Sequence, residues 1–147
     1  MFAHGAQKLF GWFNGPGIEG LSQGFEGMGL KPAKPKALIA GASEAGGGAL
    51  IALGLLTPVG AAALIGVMRQ AVETVHIEKG FFVTEGGYEY NLLIAAAAAA
   101  LVATGPGKWS LDEQLGTEVS GPLAALAAVG LGLSGPKLVD RLLPAGE

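Results

Sequence analysis

The stretch "AGGGALIALGLLTPVGAAALIGVMRQAVETVH", residues 45–76, decides how this chain is read. Its first 24 residues, Ala45 to Met68, contain no Asp, Glu, Lys or Arg. Arg69, Gln70, Glu73 and His76 then arrive together. A run that is apolar on every side suits a lipid-facing helix better than a half-buried soluble one. The polar residues that close it are therefore the informative ones.

At about 100° per residue, Arg69, Glu73 and His76 fall within about 60° of one another on a single helical face, with Gln70 at its edge. Their spacing lets Arg69 pair with Glu73 and lets Glu73 reach His76. A lone charge at mid-bilayer costs about 2.5–3.5 kcal/mol, so such groups are expected to turn inward and pair. Glu44 is the interhelical alternative partner for Arg69. Three uses of the seam stay open. Ion pairs could simply orient helices, the face could bind a polar ligand or quinone headgroup, or it could pass protons or ions. His76 is the side chain of the seam able to exchange a proton near neutral pH. No metal site is expected, because His4 is the other histidine and no ligand spacing joins the two.

Outward from that stretch, the 147 residues are 50% hydrophobic and 14% charged, against about 25% charged in an ordinary soluble domain. The net charge is −3 with no basic stripe, which argues against nucleic acid as a partner. The absence of cysteine removes disulfides and thiolate chemistry. The opening "MFAHGAQKLFGWF" has neither the basic start nor the apolar centre of a signal peptide.

Four apolar blocks, 37–56, 58–77, 90–104 and 119–136, predict an all-α, polytopic transmembrane helical bundle of about four spans, a multi-pass protein of the cell membrane. Thr57–Pro58 breaks the first from the second, and Pro suits the first turn of a new helix. Residues 1–36 form an N-terminal segment with a short interfacial helix expected near Ala6–Phe13 and an extended connection at Pro32 and Pro35. Residues 37–112 are the expected transmembrane core, and 113–147 an extension with a further span and an amphipathic tail. If all four blocks cross, Lys8, Lys31, Lys34, Lys36, Lys79, Lys137 and Arg141 share one side, and Lys108 alone takes the other. That asymmetry places the first segment in the cytoplasm.

Smaller features follow the same logic. Gly41, Ala45, Gly48 and Ala52 offer a smooth face for a neighbouring helix, with Glu44 among them. Glu89 opens the third block, either as a helix cap or as a further member of an inward polar cluster. Ser110 with Glu113 fits a capping box. "ALIAGASEAGGG" at 37–48 superficially suggests a dinucleotide loop, but Ser43 stands where the second glycine belongs and no acidic residue follows about 20 positions on.

"HGAQKLFG" at 4–11, "GLKP" at 29–32, "GASEAGGGALIALGLLTP" at 41–58, "MRQAVETVHIEKGFF" at 68–82, "GGYEYNLL" at 86–93 and "GPGKWSLD" at 105–112 come in the order and spacing of one family. Over about residues 2–112 the chain resembles the DoxX family of small bacterial inner-membrane proteins built on four helices, and lacks most of that family's first transmembrane helix. The founding type is similar to the small subunit of a thiosulfate:quinone oxidoreductase. The resemblance implies an accessory subunit of a membrane redox system in contact with quinone. The expected partners are membrane lipid, proteins of a redox complex or further copies of the chain. A small transporter or proton conductor using Arg69, Glu73 and His76 is the rival. The resemblance also implies that a polar pocket be sought at His4, Lys8, Glu44, His76 and Glu89. No other cofactor is evident, and no catalytic residue is assigned.

Overall fold

The structure, a computed structural model, describes residues 1–145. Seven α-helices follow one another among them: α1 (Phe2–Phe10), α2 (Gly17–Gly27), α3 (Ala33–Leu53), α4 (Thr57–Ala71), α5 (Glu89–Thr104), α6 (Leu111–Leu115) and α7 (Pro122–Leu142). A π-helical turn over Val72–His76 and a 3-10 turn over Ile77–Lys79 continue α4.

α4 sits at the centre, packed against α3, α5 and α7, while α1 and α2 cover α3. Its Ala61 and Ile65 join Ala98 and Val102 of α5 and Ala128 of α7 in the larger buried cluster. A second cluster joins Ala40 of α3 to Val67 and Met68. So many small side chains let the helix backbones come close. On α3, Gly41, Ala45 and Gly48 receive Leu9, Gly5 and Phe2 of α1 in turn, which makes the two helices antiparallel. A Cβ at Gly5 or at Gly48 would collide with the facing backbone. Ala52, the fourth position of that expected face, is exposed.

The chain is all-helical, but the expected polytopic arrangement of about four spans is corrected. Among the described residues one helix, α7, is both long and apolar enough to cross a membrane. α3 has the length, at 21 residues, but carries Lys34, Lys36 and Glu44. α4 keeps α-helical geometry for only 15 residues, and α5 stops after 16 at Gly105–Pro106. These reach about 22 and 24 Å at 1.5 Å per residue, short of a core about 30 Å thick. The multi-pass placement in the cell membrane inferred from the apolar blocks is corrected with it, and so is the sidedness drawn from the lysines. Uncharged runs and helices do not coincide: a turn at 54–56 separates α3 from α4, and from Val72 the α-helical geometry gives way to π and 3-10 turns.

α7 itself runs past Pro136 to Leu142, absorbing much of the expected tail. Its Leu123, Leu126, Leu131 and Leu142 are exposed, as a helix presented to lipid would have them. At the other end of the chain, α1 spans Phe2–Phe10 rather than Ala6–Phe13, and α2 forms where no helix was expected. Pro32 caps α3 and Pro35 lies in its first turn, where a missing amide hydrogen costs nothing.

Candidate functional site

Because α1 runs back along α3, Lys8 comes beside Glu44, 36 residues away in sequence. Lys8 Nζ donates to Glu44 Oε1 at 2.5 Å. The carboxyl group is 2% exposed, and its second oxygen, Oε2, is buried with no hydrogen-bond partner among the described residues. Such an acceptor costs about 1–3 kcal/mol when left unmet. An unmet buried acceptor in a native fold marks a place where something is missing or stored.

Glu44 lines a cleft of about 250 Å³ between α1, α3, α4 and α5. Lys8, His4, His76, Tyr90 and Asn91 are further polar residues of its lining, and Met68, Ala71, Val83 and Ile94 apolar ones. His4 is exposed, at the edge of the site. Asn91 Nδ2 points at Met68 Sδ, 3.6 Å away. His76 Nδ1 donates to the Gly86 carbonyl at 2.6 Å. A carbonyl only accepts, so that hydrogen bond fixes the tautomer, and in the neutral ring Nε2 carries the free lone pair.

The seam read at Arg69, Glu73 and His76 divides. Arg69 donates to Glu73 Oε1 from Nε at 2.8 Å and from Nη2 at 2.6 Å, the local pair that the spacing predicted. Its Nη1 donates to the Leu133 carbonyl of α7. Arg69 therefore meets neither Glu44 nor the cleft. His76 faces the cleft instead of Glu73, because the π turn at Val72–His76 changes the angle per residue. Extrapolation at 100° holds as far as Glu73 and fails at His76. Glu89, first residue of α5, accepts from the Val83 amide through Oε2 at 3.0 Å and so ties the 80–88 loop to the helix. It is not a wall of the cleft. Of the seven residues singled out in the sequence, the fold gathers His4, Lys8, Glu44 and His76. Among the described residues no three His, Cys, Asp or Glu side chains are grouped as metal ligands.

Sequence reasoning missed Asp112, a carboxyl group 1% exposed. Its Oδ1 accepts from the Leu56 amide at 2.8 Å, and its Oδ2 from the amide and hydroxyl of Thr57 at 3.0 and 2.8 Å. Burial alone would raise the carboxyl pKa, but the hydrogen bonds from Thr57, Leu56 and Thr117 outweigh it and hold the group below the usual 3.8. The missed signal was α4 itself. Its N-cap position is Leu56, held at φ 46° with no side chain able to cap, so the first amides need an acceptor from elsewhere.

With that geometry in place, comparison with known proteins gives one finding. The model of the family described as DoxX matches residues 1–77, just over half of the chain. The span includes His4, Lys8, Glu44 and His76, and stops short of the motifs read at 86–93 and 105–112. No curated protein matches the chain, and neither does any solved structure.

Proposed function

Since this chain belongs to the DoxX family, which supports a membrane-associated accessory role, we propose that it serves a membrane redox system by holding a quinone-type headgroup in the cleft between α1 and α5. The buried, unpartnered Glu44 Oε2 carries this reading. A cleft that kept an oxygen dry and unpaired for packing reasons alone would be better filled by a hydrophobic side chain.

The residues fit such a headgroup. A volume of about 250 Å³ suits one substituted ring. Met68, Val83 and Ile94 offer apolar contact, and Glu44 and His76 are polar residues of the same lining. Few, well-placed polar groups among apolar ones are the ordinary composition of a small-molecule site. A bound quinone would supply the electron carrying. The chain's own part is to bind the headgroup, orient it and keep bulk water out.

The rival reading, proton or ion passage along Arg69, Glu73 and His76, has less support. Two of those residues pair with each other, Arg69 also donating to α7, while the third lines a separate cleft.

The test is purification of the full chain in mild detergent from a quinone-containing membrane, followed by solvent extraction and chromatography. Quinone is expected at near one equivalent in the wild type and at less than a tenth of that in His76→Ala and Glu44→Leu variants. Recovery at the level of a detergent-only control would overturn the proposal.

A further inference from the structure

We propose that a second site, a groove along another flank of α4, takes one acyl chain of a membrane phospholipid. The groove encloses about 130 Å³. Its floor is Ala62, Ala63 and Gly66 of α4, and its walls include Ile39 and Ser43 of α3 and Gly135 and Pro136 of α7. α3 and α7 each pack on α4, and floor side chains this small leave the space between them unfilled. Lys36 Nζ of α3 donates to Asp140 Oδ1 of α7 at 2.7 Å, tying the walls together at the end where α3 begins and α7 finishes. Ala40 and Val67 of the lining share a buried cluster with Met68 of the first cleft, so packed side chains separate the two sites.

Size, polarity and setting point to the same occupant. An apolar cavity of about 150 Å³ takes a molecule as large as benzene, so this groove has room for a short length of hydrocarbon. A helix, about 10–12 Å across with its side chains, does not enter, and whole cofactors occupy pockets of about 300–1,000 Å³. The lining is polar at one end, where Lys36 and Gln70 lie, and apolar toward Ala62 and Ala63, with Ser43 the remaining polar residue. That gradient suits an amphiphile with its headgroup toward the Lys36–Asp140 pair and its chain toward the alanines. The setting is α7, which is long and apolar enough to cross a membrane. It forms one wall while Leu131 and Leu138 are exposed, as on a helix presented to lipid. Acyl chains are then the medium beside the groove, and one of them fills it better than water, which finds few partners on such walls.

The deciding experiment reconstitutes the full chain into phosphatidylcholine vesicles containing a phosphatidylcholine with a diazirine on its acyl chain. After illumination, labelled residues are mapped by mass spectrometry. In the wild type, label is expected at Ser43 and Gly66 in the groove as well as at Leu131 and Leu138 outside it. Gly135→Leu and Ala63→Leu fill the groove from a wall and from the floor, and an added Cβ at Gly135 meets no atom within 4 Å. Each variant is expected to lower the label at Ser43 and Gly66 by about tenfold or more, with the label at Leu131 unchanged. Should one variant lose the helical circular dichroism of the wild type, the other decides. Label confined to the outer leucines overturns the proposal, and so does groove label that persists in the filled variants. A free fatty acid carrying the same diazirine is run in parallel, and groove label from it alone overturns phospholipid as the occupant.

Discussion

Of the four cation–carboxylate pairs among the described residues, two look alike on paper and differ in kind. Arg69–Glu73 is made within one helical turn, with the Glu73 side chain half exposed. Lys8–Glu44 joins two helices, with the carboxyl side chain only 3% exposed. The local pair uses Arg69 to tie α4 to the backbone of α7. The distant pair satisfies one oxygen of two and leaves the other buried without a partner among the described residues. A pair made along a single helix is legible from spacing and contributes little. A pair made across a bundle is costly to break at one partner only, and is invisible until the helices have been placed.

That contrast can be broken by substitution. Lys8→Met is expected to destabilise the chain by about 3–5 kcal/mol in denaturant titration, because it strands a buried carboxylate. Adding Glu44→Leu to it should recover most of that loss. A single-variant effect below about 1 kcal/mol would put the two pairs on the same footing.

Asp112→Asn comes next, expected to cost about 2–3 kcal/mol through weakened hydrogen bonds to a charged acceptor. It also has a pH signature. The folded carboxyl titrates below the usual 3.8, so its contribution is complete above that value and is lost as pH falls below it toward the folded pKa. Unfolding followed between pH 5 and pH 2 should show a steeper decline for wild type than for the variant, and parallel declines would refute this assignment.

Gly5→Val tests the close approach of α1 to α3 on which the Lys8–Glu44 pair depends. Overpacking there is expected to cost about 1–3 kcal/mol and to reduce ligand retention in the same preparation. The smallest effect belongs to the local pair, where Glu73→Gln should change stability by no more than about 0.5 kcal/mol. A loss several times larger would mean that Arg69 needs Glu73 to hold α7.

Much of the helix content was readable from the runs of apolar residues, and the Gly41–Ala45–Gly48 face was readable from its spacing. The Arg69–Glu73 pair and the Ser110 cap, whose hydroxyl accepts from the Glu113 amide at 3.2 Å, were readable too, since both live within four residues. The partner of Glu44 was not, because helical periodicity relates neighbours along one axis and says nothing about a residue on α1. Helix length was overread for a related reason. Absence of charge does not distinguish a continuing helix from the Gly54–Leu56 turn, and the π turn at 72–76 leaves no mark in composition. The last apolar block, 119–136, carries four glycines, three of them within α7, and α7 is still the helix that qualifies to cross.

The Asp112 anchor sets the edge of the folding unit apart from the edge of the family match. The matched region ends at Ile77, yet the bend at 54–57 within it is closed by a residue 35 positions beyond that end, through Leu56, Thr57 and the Gly54 carbonyl, which accepts from the Asp112 amide. A polypeptide cut at the limit of the homology would carry every residue singled out in that span and still lack the clasp for its own hairpin. Ancestry and autonomy have different borders here, and a fragment meant to be studied alone should be drawn by the second.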